Sequence, residues 1–121
     1  IFFLSNFILM LEYLFPGSLL GCIIFNNCKI QPQITANFLI STNHLYSFLI
    51  LSFIGFCTYK NSKYSNVLTK YLLTLSIILE VMHYFIPNRS FEYQDLFGNL
   101  AGVIIIIILF NLFKKYEEIK H

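Results

Sequence analysis

The chain has 121 residues, of which 57% are hydrophobic, 18% aromatic and 12% charged, with a net charge of +2 and a mean hydropathy of +0.70. A soluble domain is about 25% charged, and one this short buries only about two-thirds of its unfolded surface, so a water-soluble monomer is excluded, as is a disordered chain. The eight Lys and Arg are scattered and form no basic stripe, which excludes a nucleic-acid partner; an integral membrane protein remains, with the lipid bilayer as its first partner.

A membrane-crossing helix needs about 20 mostly apolar residues, and four stretches meet that requirement. The first, about 2–25, is interrupted by Glu12 and by Pro16-Gly17, which predicts a kink. The second covers about 43–59. The third covers about 66–86 and stops at Pro87. The fourth covers about 95–113 and contains the run from Val103 to Phe110. No ten-residue alternation supports a barrel. The expected fold is all-α, a single domain over 1–121 built as a bundle of four transmembrane helices. The tail from Lys114 to His121 reads as a solvated, charged helix end.

Basic residues collect on the cytoplasmic side of membrane proteins. Lys60, Lys63 and Lys70 flank the connection between spans two and three, and Lys114, Lys115 and Lys120 follow span four. The other two connections carry only Lys29 and Arg89, the latter countered by Glu92 and Asp95. This asymmetry predicts both termini in the cytoplasm and a multi-pass protein of the plasma membrane. The first residue is Ile rather than Met, which suggests a missing or processed N-terminus; the first stretch lacks the basic flank and cleavage site of a signal peptide.

In this orientation the polar residues gather at the outer end. His44 lies near the outer end of span two, behind the capping residues Ser41, Thr42 and Asn43. Glu80 and His83 are three apart on one face of span three, which Ser76 and Thr69 extend inward. Asp95 opens span four as its candidate N-cap, with Asn99 and Gly102 on the same face. Arg89 occupies the tight outer loop, where Asn88-Arg89-Ser90 also matches a glycosylation sequon of little weight so close to the membrane. Ionisable groups at membrane depth face a bundle interior or a wet cavity, so these residues form a candidate site. Bland alternatives stand beside it: Arg89 as an interfacial snorkeller, His44 as a packing histidine, and Glu80 in a purely structural pair. Gly98 and Gly102 form a small-xxx-small face for close helix packing.

Other chemistries find less support. The three cysteines have no CxxC spacing, so a disulfide or zinc framework is not expected and each reads as a small hydrophobe. Glu80-x-x-His83 occurs once, whereas a di-iron bundle needs two copies and further carboxylates, and no HExxH is present. No Gly-flanked serine elbow and no phosphate loop occurs. No metal and no cofactor is expected.

The segment from Glu80 to Gly102, EVMHYFIPNRSFEYQDLFGNLAG, resembles the signature of the VanZ-like membrane protein family. Glu80, Pro87, Arg89, Asp95, Asn99 and Gly102 fall on that pattern's spacings, and His44 resembles the His that opens the family's second span. His83 stands where the family usually has Gln, and Ile40 and Ser41 stand where it usually has Asp and Lys. The resemblance implies a bacterial cell-envelope membrane protein, with a link to resistance to the glycopeptide teicoplanin by analogy only.

Three functions fit these residues. In the first, the outer cluster (Arg89, Asp95, Asn99, Glu80 and His44) binds the anionic group of an envelope lipid or lipid-linked sugar. Arg89 pairs with that group, and Asp95 is kept off it by Arg89 or His44. In the second, the protein is an enzyme on the same substrate class, with Glu80 as acid or base and His44 or His83 as partner. In the third, the network only locks the helix ends together, and function lies in partner binding.

Overall fold

The computed structural model describes residues 1–33, 37, 40–59, 63–87 and 89–120. Lys60 and Asn88, used above for orientation and for the sequon, lie outside the described residues. Among the described residues the fold is all-helical, with five helices: α1 (Phe2–Leu14), α2 (Leu19–Phe25), α3 (Thr42–Tyr59), α4 (Ser65–Met82) and α5 (Tyr93–Lys120). Two of them, α4 and α5, are long and apolar enough to cross a membrane, and a third crossing is possible if the bent pair α1–α2 counts as one span. Together with the exposed apolar side chains of α5, such as Ile108, Leu109 and Leu112, this is the surface of a membrane protein, because water would not tolerate so continuous a patch.

The first predicted span is broken more sharply than a kink. The chain turns by 88° between α1 and α2. Pro16 cannot donate to the α1 ladder, and Gly17 takes φ +110°, which a side chain would resist. Ser18 then caps α2, its hydroxyl accepting from Gly21 N at 2.9 Å. At the other end Asn26 adopts the left-handed conformation, and Asn27 N donates back to Gly21 O at 3.1 Å.

That turn explains a correction. Cys22 and Cys28 form a disulfide, where no bridge was expected from their spacing. The reversal at Asn26 folds the segment after α2 back on the helix, and Ser18 N donates to Cys28 O at 2.7 Å to hold it there. Cys57 is free and exposed.

Two further boundaries differ from expectation. The helix α4 ends at Met82 rather than near Ile86, and residues 83–86 turn. The helix α5 begins at Tyr93, so Asp95 is in its first turn and is not the N-cap; a carboxylate there still complements the positive end of the helix dipole.

The core runs through Phe48, Leu51, Leu72, Leu79, Val103 and Ile106. Helix α5 packs most extensively on α3 and then on α4. The closeness of α3 and α5 depends on glycine. A Cβ at Gly98 would meet Ser41 O at 2.6 Å, and one at Gly102 would meet Leu45 O at 2.7 Å and Leu49 N at 2.8 Å. Backbone atoms cannot give way as side-chain tips can, so both positions exclude any larger residue at this spacing.

Candidate functional site

The packing of α3, α4 and α5 brings the start of α3, the end of α4 and the start of α5 to one end of the bundle. The polar residues singled out in the sequence meet there in two rows. His44, Arg89 and Asp95 line a cavity of about 530 Å³. Glu80, His83 and Asn99 lie behind them and are fully or almost fully buried.

Asn99 is the hub of the buried row. Its Nδ2 donates to Ser76 O at 3.0 Å. That bond orients the amide and makes Oδ1 the acceptor, and Oδ1 lies 2.7 Å from the Tyr13 hydroxyl and 2.9 Å from His44 Nδ1. Tyr13 donates its hydroxyl hydrogen, and His44 must carry a hydrogen on Nδ1. The Nε2 of His44 faces Asp95 Oδ2 at 3.6 Å. A neutral His44 therefore presents a bare nitrogen lone pair to a carboxylate oxygen.

His83 obeys the same logic. Its Nε2 lies 2.9 Å from Tyr13 O, a carbonyl that can only accept, so Nε2 carries the hydrogen. Its Nδ1 then faces Glu80 Oε1 at 3.3 Å, an approach that requires a proton on one of the two. Glu80 Oε1 also accepts from Glu92 N at 3.2 Å. Its other oxygen, Oε2, has no hydrogen-bond partner among the described residues and lies 3.8 Å from His44 Nδ1. The Tyr13 ring stacks on His83 at 5.8 Å and meets His44 edge-on at 4.9 Å, which fixes both imidazoles.

Arg89 behaves differently from expectation. It directs Nε to Phe15 O at 3.1 Å and Nη2 to Glu12 O at 2.8 Å. These are carbonyls at the end of α1, where intrahelical donors run out and a cation complements the dipole. Among the described residues the ion pairs at this end join histidines to carboxylates, so the partner of Asp95 is His44 rather than Arg89. Burial pulls the Arg89 guanidinium below its ordinary value, while Tyr13, Glu80, Asp95 and Glu12 oppose that shift; it stays a cation.

Several lining residues were not anticipated. Glu12, Tyr13, Ser18, Cys28 and Lys29 close the cavity from the α1–α2 side. A tyrosine in an apolar run reads as core, and nothing local marks the bend as a roof. Pro16-Gly17 announced a kink in the first span, while the cysteine spacing gave no sign of the bridge.

The model of the VanZ/LLP1 family matches residues 2–114 of this chain. No curated protein and no solved structure matches it.

Proposed function

The chain belongs to the VanZ/LLP1 family, and on that premise we propose that it is a four-span protein of the bacterial plasma membrane whose outer cavity binds the anionic group of an envelope lipid or lipid-linked precursor. The observation that carries this reading is the cavity. It is wide enough for a headgroup, and it opens at the end of a bundle whose flanks are apolar. Arg89 and Lys29 supply positive charge on its wall, and a guanidinium whose fork already holds two carbonyls is fixed in place for a phosphate or carboxylate. Pockets that bind small groups combine an apolar setting with a few placed polar groups.

Two features support the orientation. The Phe2 ring lies 6.0 Å from Tyr59 at the end of α3, so α1 begins at the end of the bundle remote from the cavity, where α5 also finishes. Lys63 and the tail lysines are at that same end, as cytoplasmic ends require. Cys28, by contrast, lines the cavity and is disulfide-bonded, and disulfides persist in oxidising compartments outside the cytoplasm. In this reading α1 and α2 form the first span, with α2 laid across as a re-entrant roof, and α3 is the second span. Any contribution to teicoplanin resistance would act through the bound envelope precursor.

Titration of purified protein with a short-chain phosphatidylglycerol and with the matching phosphatidylcholine tests the reading. We expect preference for the anionic lipid and weaker binding in Lys29→Ala. Equal affinity for both lipids, unchanged by Lys29→Ala, would contradict it.

A further inference from the structure

We propose that His44, Glu80 and Asp95 form a site for one divalent transition-metal ion at the floor of the cavity. Ligand atoms from the three side chains lie within 4.8 Å of one another, as donors around one ion must. The second and independent observation is Glu80 itself. Its side chain is 0% exposed, and Oε2 has no hydrogen-bond partner among the described residues and lies 3.8 Å from His44 Nδ1, on the edge of the ring that also meets Asn99. A buried, unpartnered carboxylate oxygen is costly unless it meets a cation or a proton.

The tautomer argument points the same way. Asn99 Oδ1 accepts from His44 Nδ1 at 2.9 Å, and Asn99 is itself fixed by Ser76 O. This is the outer-shell arrangement that orients metal-binding histidines, one ring nitrogen donating to a held acceptor and the other left for the metal. That other nitrogen, Nε2, faces Asp95 Oδ2 at 3.6 Å. Two electron-rich atoms at this distance fit an ion between them, with metal–ligand distances of about 2.0–2.2 Å.

One imidazole with two carboxylates suits Zn²⁺ or Mn²⁺ better than soft Cu(I) or hard Ca²⁺. Three protein ligands leave a coordination position open, and His44 and Asp95 both line the cavity, so that position faces whatever enters. The inference deepens the lipid reading. Among the cavity's lining residues Glu12 and Asp95 balance Lys29 and Arg89, and a bound cation tips that balance in favour of a phosphate.

The test uses detergent-purified full chain carrying Cys57→Ser, which removes the free thiol, stripped of lipid and treated with chelator. Equilibrium dialysis against Zn²⁺, and separately against Mn²⁺, measures bound ion per chain, and circular dichroism confirms the helical fold. We expect about one ion per chain, bound at least about tenfold more weakly in His44→Ala and in Asp95→Asn. Should His44→Ala fail to fold, Asp95→Asn decides, since that change keeps size and polarity at a partly buried position in the first turn of α5. Folded parent protein that binds neither ion overturns the proposal and leaves a proton between Glu80 and its neighbours. Binding undiminished in folded Asp95→Asn overturns it too. Because lipid is absent throughout, neither outcome depends on whether the cavity takes an anionic headgroup.

Discussion

The Tyr13 hydroxyl donates to Asn99 Oδ1 at 2.7 Å across a separation of 86 residues. It joins the first helix to the last through the centre of the polar cluster. The same oxygen holds His44, and the amide of Asn99 reaches Ser76 on α4. One side chain thus ties α1, α3 and α4 to α5.

Two substitutions separate the parts of this hub. Tyr13→Phe removes one donor and leaves Asn99 bonded to His44, so we expect a loss of about 0.6–1.5 kcal/mol. Asn99→Leu leaves the buried Tyr13 hydroxyl and His44 Nδ1 without their acceptor, with unsatisfied groups costing about 1–3 kcal/mol each. Thermal melting in detergent should rank the native chain above Tyr13→Phe and Tyr13→Phe well above Asn99→Leu. Equal melting temperatures for the two variants would remove Asn99 from the centre.

Gly102 makes a sharper steric prediction. A methyl group there would press on Leu45 O at 2.7 Å and Leu49 N at 2.8 Å, so α3 and α5 must separate. Overpacking costs about 1–3 kcal/mol. We expect Gly102→Ala to lower the melting temperature by several degrees. A variant as stable as the native chain would show that the two helices are not held this closely.

Much of the site was legible because its residues repeat at helical spacing. Glu80 lies in the last turn of α4 with His83 as its C-cap three residues on, and Asp95 and Asn99 are four apart on α5, so face and height followed from periodicity. The roof was not legible. Tyr13 sits in an apolar run, and its role depends on an acceptor 86 positions away. The Cys22–Cys28 bridge depends on the left-handed turn at Asn26, a conformation that Asn tolerates without announcing it. Arg89 was readable as an outer cation, but its two carbonyl partners exist only because Pro16 and Gly17 end α1 beside it.

The orientation makes its own prediction. After mild reduction of intact cells, an impermeant maleimide should label Cys22 and Cys28, while a cysteine at Lys115 should label only after permeabilisation. Labelling of Lys115→Cys in intact cells would place the tail outside and invert the proposed topology.

The most direct test of the central claim is native mass spectrometry of the protein extracted from its own membrane, beside Lys29→Ala and Arg89→Ala. Arg89→Ala frees Phe15 O and Glu12 O and so loosens the roof as well as removing charge; Lys29 is exposed, and its loss leaves the helices intact. The account predicts a retained anionic lipid or lipid-linked sugar on the native chain, depleted in folded Lys29→Ala and lost in Arg89→Ala. A native chain that carries no such ligand, or folded variants that retain it in full, would contradict an anion-binding cavity.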